Sequence, residues 1–262
     1  MKKSSPLLSL VLLLGACATS GAAVTPSVPA VPSAVDAALL GDDAVGLADA
    51  ANRLCGYLAT QEERRLGFEL ARKAHALAPR DKPVALTLAR CAYFRADWEP
   101  DPKVMTEVAQ AGMDAASAAG AKDKEPRSAY LFGLNLGLVM QHKGLEALSL
   151  LSQEIEALEA ARAEPEQDLG GPLRVLGALY LKAPAWPAGP GDLEKSLELL
   201  EEAATRFPSH PLNRLFFSEA LAEDGEKQSA AAQAAMALEL ARPELWGDYA
   251  ERWQGQAAAL AK

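Results

Sequence analysis

The apolar positions of this chain recur at intervals of three and four residues from about residue 36 almost to the C-terminus. This spacing places apolar side chains on one face of an α-helix, whereas a half-buried strand would alternate at every second position. Clusters of proline, glycine and aspartate interrupt the pattern at short intervals. The pattern therefore predicts an all-α domain over residues 36–262, with about ten antiparallel helices and no strand.

Three of the interruptions contain residues that favour the start of a helix. Asp81 lies two residues before Pro83, Ser209 lies two residues before Pro211, and Asp192 directly precedes an apolar helical pattern. A side-chain oxygen at such a position can accept a hydrogen bond from a free backbone amide, and proline is well tolerated in the first turn. We predict that helices begin directly after these residues.

The order of small and large residues indicates a repeat. Segments 136–144 and 176–180 both begin with Leu-Gly and match the first helix of a tetratricopeptide repeat. Small residues let the two helices of a repeat approach closely, while larger ones fill the groove with the next repeat. This order favours tetratricopeptide-like helical repeats in a right-handed solenoid or bundle over a bundle without repeats. The matching second-helix positions are Ser196, Leu200, Ala203 and Pro208, and in part Gly67, Ala71, Ala74 and Pro79.

Two of the connections between helices are enlarged and aromatic. Residues 180–192 read YLKAPAWPAGPGD, and residues 91–104 have a similar layout of tyrosine, tryptophan and prolines. Exposed aromatic side chains bury a large area on binding with little loss of rotamer entropy. We therefore predict that these loops form a docking or ligand surface, although packing of Trp186 beneath its own loop would explain the second loop equally well. The candidate residues of this surface are Tyr93, Trp98, Tyr180, Trp186 and Asp192.

Residues 1–16 have the layout of a secretory signal peptide. Lys2 and Lys3 precede an apolar run over residues 7–14, which small residues follow. The apolar run is too short to span a bilayer as a permanent helix. We therefore predict that this segment is removed on export.

The end of this signal matches a bacterial lipobox. Leu-Gly-Ala precedes Cys17, so cleavage would make Cys17 the lipidated first residue and anchor the chain to a membrane. Ala18 follows the cysteine in place of an aspartate that would resemble an inner-membrane retention signal. We therefore predict an outer-membrane lipoprotein on the periplasmic side, with residues 17–35 as a flexible tether. An ordinary signal peptide with a chance cysteine is the alternative.

Charge and motif content argue against several classes of function. Removal of Lys2 and Lys3 would change the net charge from −9 to −11, and such an acidic chain is a poor binder of nucleic acid. The sequence has no Gly-x-Ser-x-Gly elbow, Walker loop, paired CxxC or dinucleotide fingerprint. The three histidines are far apart, so we assign them to surface or helix-end positions. We predict a non-catalytic protein with no metal, no cofactor and no nucleic-acid partner.

Two cysteines remain in the predicted mature chain, Cys55 and Cys91. They lie thirty-six positions apart, near one repeat length. Corresponding positions on stacked helices are separated by about 8–10 Å at the helix axes, more than a disulfide tolerates. We therefore expect two small buried side chains with no bridge between them.

The C-terminal segment contains an aromatic stripe formed by Trp246, Tyr249 and Trp253 at helical spacing. A solenoid needs a cover on its exposed end, so we predict that this stripe packs over the last repeat. A face for a partner or for self-association is the alternative, because aromatic residues are enriched at interfaces.

The chain resembles the T-component lipoproteins associated with TRAP transporters. The resemblance rests on the lipobox at Cys17 and on residues 170–203, where a Leu-Gly-x-x-Tyr helix leads through a proline-rich loop to a Gly-Asp helix start. Residues 129–144 are similar to the preceding repeat of that family. The sequence has Pro-Gly-Asp where a Gly-Gly-Asp element is expected.

The resemblance implies a specific biological role. It implies a non-catalytic periplasmic scaffold that assembles as a homotrimer, binds a periplasmic solute-binding protein and assists TRAP-type uptake. It also implies a pore or cavity for a small organic or hydrophobic ligand, such as an organic acid. The competing hypothesis is a tetratricopeptide-repeat assembly scaffold for outer-membrane or cell-envelope machinery, without a small ligand.

Overall fold

Short polar or proline-containing segments divide the chain into helices, as the sequence pattern predicts. The computed structural model describes residues 41–261, and within this range it contains twelve α-helices and no strand. The predicted signal peptide, Cys17 and the tether over residues 17–35 lie outside the described residues. The helices are α1 (Ala44–Leu54), α2 (Gln61–Leu77), α3 (Lys82–Ala96), α4 (Pro102–Ala118), α5 (Pro126–Met140), α6 (Leu151–Ala161), α7 (Gly171–Lys182), α8 (Leu193–Arg206), α9 (Pro211–Glu223), α10 (Lys227–Leu240), α11 (Pro243–Trp246) and α12 (Asp248–Leu260).

Two of the three predicted helix starts are confirmed. Asp81 accepts a hydrogen bond from the amide of Val84 at 3.0 Å, and Asp192 accepts one from the amide of Lys195 at 3.0 Å. The third start lies one residue later than predicted.

His210, and not Ser209, caps helix α9. Its Nδ1 accepts a hydrogen bond from the amide of Leu212 at 3.2 Å. Burial, with the nearby charge of Arg174 as a smaller cause, lowers the pKa of His210 well below its ordinary value. The neutral imidazole has an acceptor nitrogen and can therefore cap a helix as a carboxylate does. His210 is at a helix end, as predicted, but it is fully buried.

Consecutive helices pack as pairs through the small residues identified in the sequence. A Cβ at position 177 on α7 would lie within 2.7 Å of Leu200 on α8. The hydroxyl of Ser196 donates to the carbonyl of Gly177 at 2.8 Å. The predicted repeat positions therefore do bring the two helices of this pair into close contact.

The first helix of each pair stacks on the first helix of the next. Helices α1, α3, α5, α7 and α9 follow one another in this way, and α12 packs against both α9 and α10. The main apolar core extends from Leu47 on α1 to Trp253 on α12, and a smaller cluster of Leu215, Ala237 and Ala257 joins α9, α10 and α12. These contacts confirm an all-α helical repeat architecture.

The last helix also reaches the first pair. The ring of Tyr57, in the connection between α1 and α2, lies 5.1 Å from that of Trp246, 5.2 Å from that of Tyr249 and 5.7 Å from that of Trp253. The C-terminal aromatic stripe is buried, and it covers both the last pair and the first pair. The described solenoid is therefore curved until its two ends meet.

Cys55 and Cys91 form a disulfide, so the expectation of two unpaired cysteines is wrong. Their Cα atoms lie 5.1 Å apart. Cys55 is the residue that follows α1, where the backbone is already extended, so the spacing of helix axes does not set its distance from α3. Gly67 on α2 leaves the necessary space, because a Cβ there would lie 2.5 Å from the sulfur of Cys55.

Helix lengths and hydropathy also bear on the membrane question. Between residues 41 and 261, no helix combines the length and the apolar character needed to cross a bilayer.

Candidate functional site

The ring of helices borders a partly open cavity of about 670 Å³. Its wall consists of the first helices α3, α5, α7 and α9, together with α6 and α12. Most of the wall is apolar, with side chains such as Leu134, Leu138, Val175, Leu212 and Phe216. Because the first helices lie on the inside of the curve, the cavity follows directly from the closure of the ring.

A hydrogen-bonded cluster around the carboxylate of Asp168 adjoins the part of the cavity wall that Tyr57, Tyr130 and Arg174 line. Asp168, between α6 and α7, accepts hydrogen bonds from the hydroxyl of Tyr57 at 2.8 Å and from that of Tyr130 at 3.0 Å. Burial, and secondarily the charge of Asp168, raises the pKa values of Tyr57 and Tyr130 well above the ordinary value of a tyrosine. Both phenols therefore stay protonated and act as donors.

Asp168 also forms an ion pair with Arg174, whose side chain is 3% exposed. The guanidinium of Arg174 donates a further hydrogen bond to Asn213 on α9 at 2.8 Å. Burial disfavours the charge, but the carboxylate of Asp168 outweighs it and raises the pKa of Arg174. The cluster therefore joins the α1–α2 connection, α5, the start of α7 and α9. The charge of Arg174 is already bound by partners within the chain.

The other cations that line the cavity within residues 41–261 are also paired. Arg252 on α12 pairs with Asp97 at 2.6 Å. Lys182 on α7 pairs with Glu219 on α9 at 2.6 Å. Together with the Arg174 pair, these contacts leave no unpaired positive charge on the described cavity wall.

Glu154 is the exception among the buried charged groups of the wall. It lies on α6, it is 6% exposed and it lines the cavity. No described side chain forms a hydrogen bond or ion pair with its carboxyl group, and burial raises the pKa of Glu154 from 4.5 to about 8. Gly137 on α5 leaves room for this group, since a Cβ there would lie 2.8 Å from Oε1 of Glu154. The cavity thus contains one carboxyl group that is protonated at neutral pH.

The structure separates the candidate residues predicted from the sequence. Tyr93 on α3 lines the cavity. Trp98, just after α3, lies between the guanidinium groups of Arg64 and Arg252, at 5.3 and 4.6 Å from its ring. Trp98 therefore belongs to the joint between the two ends of the ring and does not line the cavity.

The other three candidate residues lie where α7 connects to α8: Tyr180 is in the last turn of α7, Trp186 is in the loop, and Asp192 caps α8. Tyr180 is buried, and its hydroxyl accepts a hydrogen bond from Lys195 at 2.8 Å. The amide of Asp192 donates to the carbonyl of Tyr180 at 3.0 Å, which closes the base of the loop. Trp186 is 86% exposed at its tip, so the interpretation in which it packs beneath its own loop is wrong.

The sequence interpretation missed Glu154 and Arg174. A signal for Glu154 was present, because it occupies an apolar stripe position between the buried Leu151 and Leu158 on α6. A charged residue in such a stripe is unusual unless it is paired or faces a site. Arg174 similarly lies on the mostly buried helix α7.

Metal binding and relatedness complete the description of the site. Within residues 41–261, no group of three or more His, Cys, Asp or Glu side chains is placed to hold a metal ion. The described cavity therefore offers hydrogen-bonding and charged groups on an apolar wall.

Searches against models of protein families and against curated proteins found no match to this chain.

Proposed function

We propose that this chain is a non-catalytic periplasmic lipoprotein that holds a small, largely apolar organic molecule in its central cavity. It would bind a solute-binding protein and assist TRAP-type uptake of that molecule. The proposal combines the resemblance to the T-component lipoproteins with the geometry of the cavity. A homotrimer and a lipid anchor at Cys17 remain part of the proposal through the same resemblance.

The cavity is the observation that carries the proposal. Its volume of about 670 Å³ falls within the range of small-molecule sites, which are mostly apolar with a few placed polar groups. A repeat protein that only assembles other proteins normally presents an open concave surface. Here α12 packs across part of that surface and narrows it to a cavity of small-molecule size.

Two further features support the location and the partner. The disulfide between Cys55 and Cys91 suits an oxidising compartment such as the periplasm. Trp186 is held outward on a loop whose base is closed by backbone hydrogen bonds. A large exposed aromatic side chain on a fixed loop suits a protein interface, so we assign the solute-binding partner to this loop.

Binding of a neutral apolar probe tests the cavity. The protein would be the full chain carrying Cys17→Ser, which removes the predicted lipid attachment, titrated with the fluorescent probe N-phenyl-1-naphthylamine. We expect saturable binding at one site per chain. Ala178→Trp, which fills the cavity from α7, should abolish it, whereas Ala232→Trp on the exposed face of α10 should not.

Two results of the binding experiment would overturn the cavity proposal. Circular dichroism would first establish that both tryptophan variants are folded. Absence of probe binding to the starting protein, or unchanged binding to folded Ala178→Trp, would mean that the cavity does not hold apolar molecules. The function would then be better described as an assembly scaffold of the cell envelope.

Recovery of partners separates uptake from assembly. A pull-down with the anchored chain should recover a periplasmic solute-binding protein, and Trp186→Ala should reduce this recovery while Ala178→Trp should not. Recovery of outer-membrane assembly machinery in its place would favour the scaffold function. Sedimentation of the Cys17→Ser chain tests the homotrimer, and a stable monomer at high concentration would contradict it.

A further inference from the structure

The charged groups of the cavity wall limit the chemistry of the ligand. We infer that the cavity selects an amphiphile with an apolar body and one positively charged nitrogen, which Glu154 binds. This inference rests on the proposed function, because it assumes that the cavity holds a small organic molecule. It differs from the organic acid that the family resemblance implies.

The pairing of the cations argues against an anionic ligand. Within residues 41–261, the cations on the cavity wall are Arg174, Lys182 and Arg252, and each already has a carboxylate partner at hydrogen-bond distance. An incoming carboxylate would have to displace one of these partners. At Arg174 and Arg252, which are well shielded, this would leave a carboxylate of the protein unpaired in a poorly hydrated position, which is costly, whereas the Lys182 pair is more exposed and costs less to break.

Glu154, unlike these cations, has no partner of opposite charge. Buried polar groups in proteins nearly always have a hydrogen-bond partner, and a buried group without one calls for an explanation. Glu154 is 6% exposed as a whole residue, lines the cavity and has no hydrogen-bond or ion-pair partner among the described residues. A ligand ammonium group would provide both the charge and the contact that the protein does not supply.

A second carboxylate on the cavity wall also lacks an ion-pair partner among the described residues. Glu223, at the end of α9, lines the cavity and is exposed, and no described cation forms an ion pair with it. The chain as a whole has a net charge of −9. An exposed, unpaired carboxylate on the wall of an acidic protein attracts cations and repels anions, so it favours the same class of ligand.

Binding of a fixed cation should release a proton from Glu154. At neutral pH the buried carboxyl is protonated, because burial alone raises its pKa to about 8. An ammonium group binds the carboxylate form, so the carboxyl proton passes to solvent on binding. Affinity should therefore rise with pH up to about 8 and level off above it. The titratable and charged groups that share the cavity with Glu154 are Tyr57, Tyr93 and Asp97, Tyr130 on α5, Arg174 and Lys182 on α7, Glu219 and Glu223 on α9, and Tyr249 and Arg252 on α12.

Three ligands of matched chain length test the inference on the full Cys17→Ser chain. Decyltrimethylammonium, decanol and decanoate would each be used to displace N-phenyl-1-naphthylamine. At about pH 8.5 the ammonium should displace the probe at roughly tenfold lower concentration than decanol, because its charge forms an ion pair with the carboxylate of Glu154, and decanoate should be weakest. Lowering the pH to about 6 should weaken the ammonium roughly tenfold or more and leave decanol unchanged. The trimethylammonium group keeps its charge throughout, so any change reports on the protein.

Glu154→Gln identifies the residue responsible. This variant keeps the size of the side chain and its hydrogen-bonding capacity but cannot carry a negative charge. Its ammonium affinity should fall to that of decanol and lose its pH dependence. Glu156→Gln, on the same helix but outside the cavity and exposed, should behave like the starting protein.

The outcomes distinguish this inference from the proposed function. If the probe and all three ligands fail to bind, both proposals are overturned. If the probe binds but decanol or decanoate displaces it as well as the ammonium does, only the inference is overturned. Retention of the ammonium preference in Glu154→Gln would also overturn it.

Discussion

Arg252 on the last long helix donates a hydrogen bond to Asp97, just after α3, with 2.6 Å between Nη2 and Oδ2. The side chain of Arg252 is 19% exposed and that of Asp97 is 8% exposed. The guanidinium group also lies over the rings of Trp98 and Tyr249, at 4.6 and 4.7 Å. Solvent screens such a shielded pair only weakly. The contact therefore fixes α12 to the second helix pair and helps to close the cavity.

Arg252→Met should open this joint. The variant keeps most of the apolar stem but leaves the carboxylate of Asp97 without its partner in a poorly hydrated position. We expect the free energy of unfolding in urea to fall by about 2–3 kcal/mol. Combining it with Asp97→Leu should recover most of the loss, because the unpaired charge is then removed as well.

An exposed ion pair provides the control for this experiment. Arg72 pairs with Glu69 at 2.6 Å on α2, and both side chains are more than half exposed. Arg72→Met should therefore cost less than about 1 kcal/mol. If Arg252→Met costs no more than Arg72→Met, the Arg252 pair does not hold the ring closed.

The disulfide should contribute substantially to stability. It joins α3 to the end of α1 across a sequence separation of 36. Replacement of both Cys55 and Cys91 by alanine should lower the free energy of unfolding by about 3–4 kcal/mol. The reason is that a cross-link closing a loop of this length reduces the conformational entropy of the unfolded chain. Mass spectrometry of the unfolded, unreduced Cys17→Ser chain should show no alkylation of either cysteine. Full alkylation of both would mean that the bridge is absent.

The repeat architecture was predictable because its signals are local. Leu-Gly on α7 and the serine at position 196 on α8 are small residues at fixed spacing, and each one determines how closely two sequence neighbours pack. Asp81 and Asp192 likewise act on amides only three residues away. Short-range chemistry of this kind can be identified from the sequence of one chain.

Closure of the ring and formation of the cavity were not predictable in this way. Tyr57 meets Trp246 only because small rotations between successive pairs accumulate along the solenoid. No local pattern specifies that sum. The disulfide was mispredicted for a related reason, since the position of Cys55 beyond the helix end depends on where α1 stops. Glu154 stands out in its helix, but only the closed ring shows that it faces a cavity.

Trp186 should be replaceable without loss of stability. Its side chain is 86% exposed, so Trp186→Phe removes almost no buried area, and we expect a change below about 0.5 kcal/mol. The variant should also lose the part of the tryptophan fluorescence that acrylamide quenches most readily. Trp253→Phe, at a position that is 3% exposed, should cost more than about 1 kcal/mol and leave that quenching in place. Unchanged quenching in Trp186→Phe would show that the loop buries its tryptophan in solution.

Glu154 should make the stability of the protein depend on pH, apart from any ligand. In the unfolded chain its carboxyl loses its proton near the ordinary pKa of 4.5, whereas in the folded protein burial raises the pKa to about 8. Between these values the folded state binds more protons than the unfolded state, so this group makes folding less favourable as the pH rises. The contribution is complete below about pH 4.5, decreases through the window and is absent above about pH 8.

Glu154→Gln isolates this effect, because glutamine does not titrate. The difference in the free energy of unfolding between variant and starting protein should grow by up to about 1.4 kcal/mol per pH unit between about pH 5 and pH 8, in favour of the variant. Over the window it should reach on the order of 4 kcal/mol and then stay constant. Urea denaturation at a series of pH values measures it, and Glu156→Gln should show a difference that does not change with pH. If the Glu154→Gln difference is equally flat, solvent reaches the carboxyl in the folded protein, and the cavity wall at α6 is open to water.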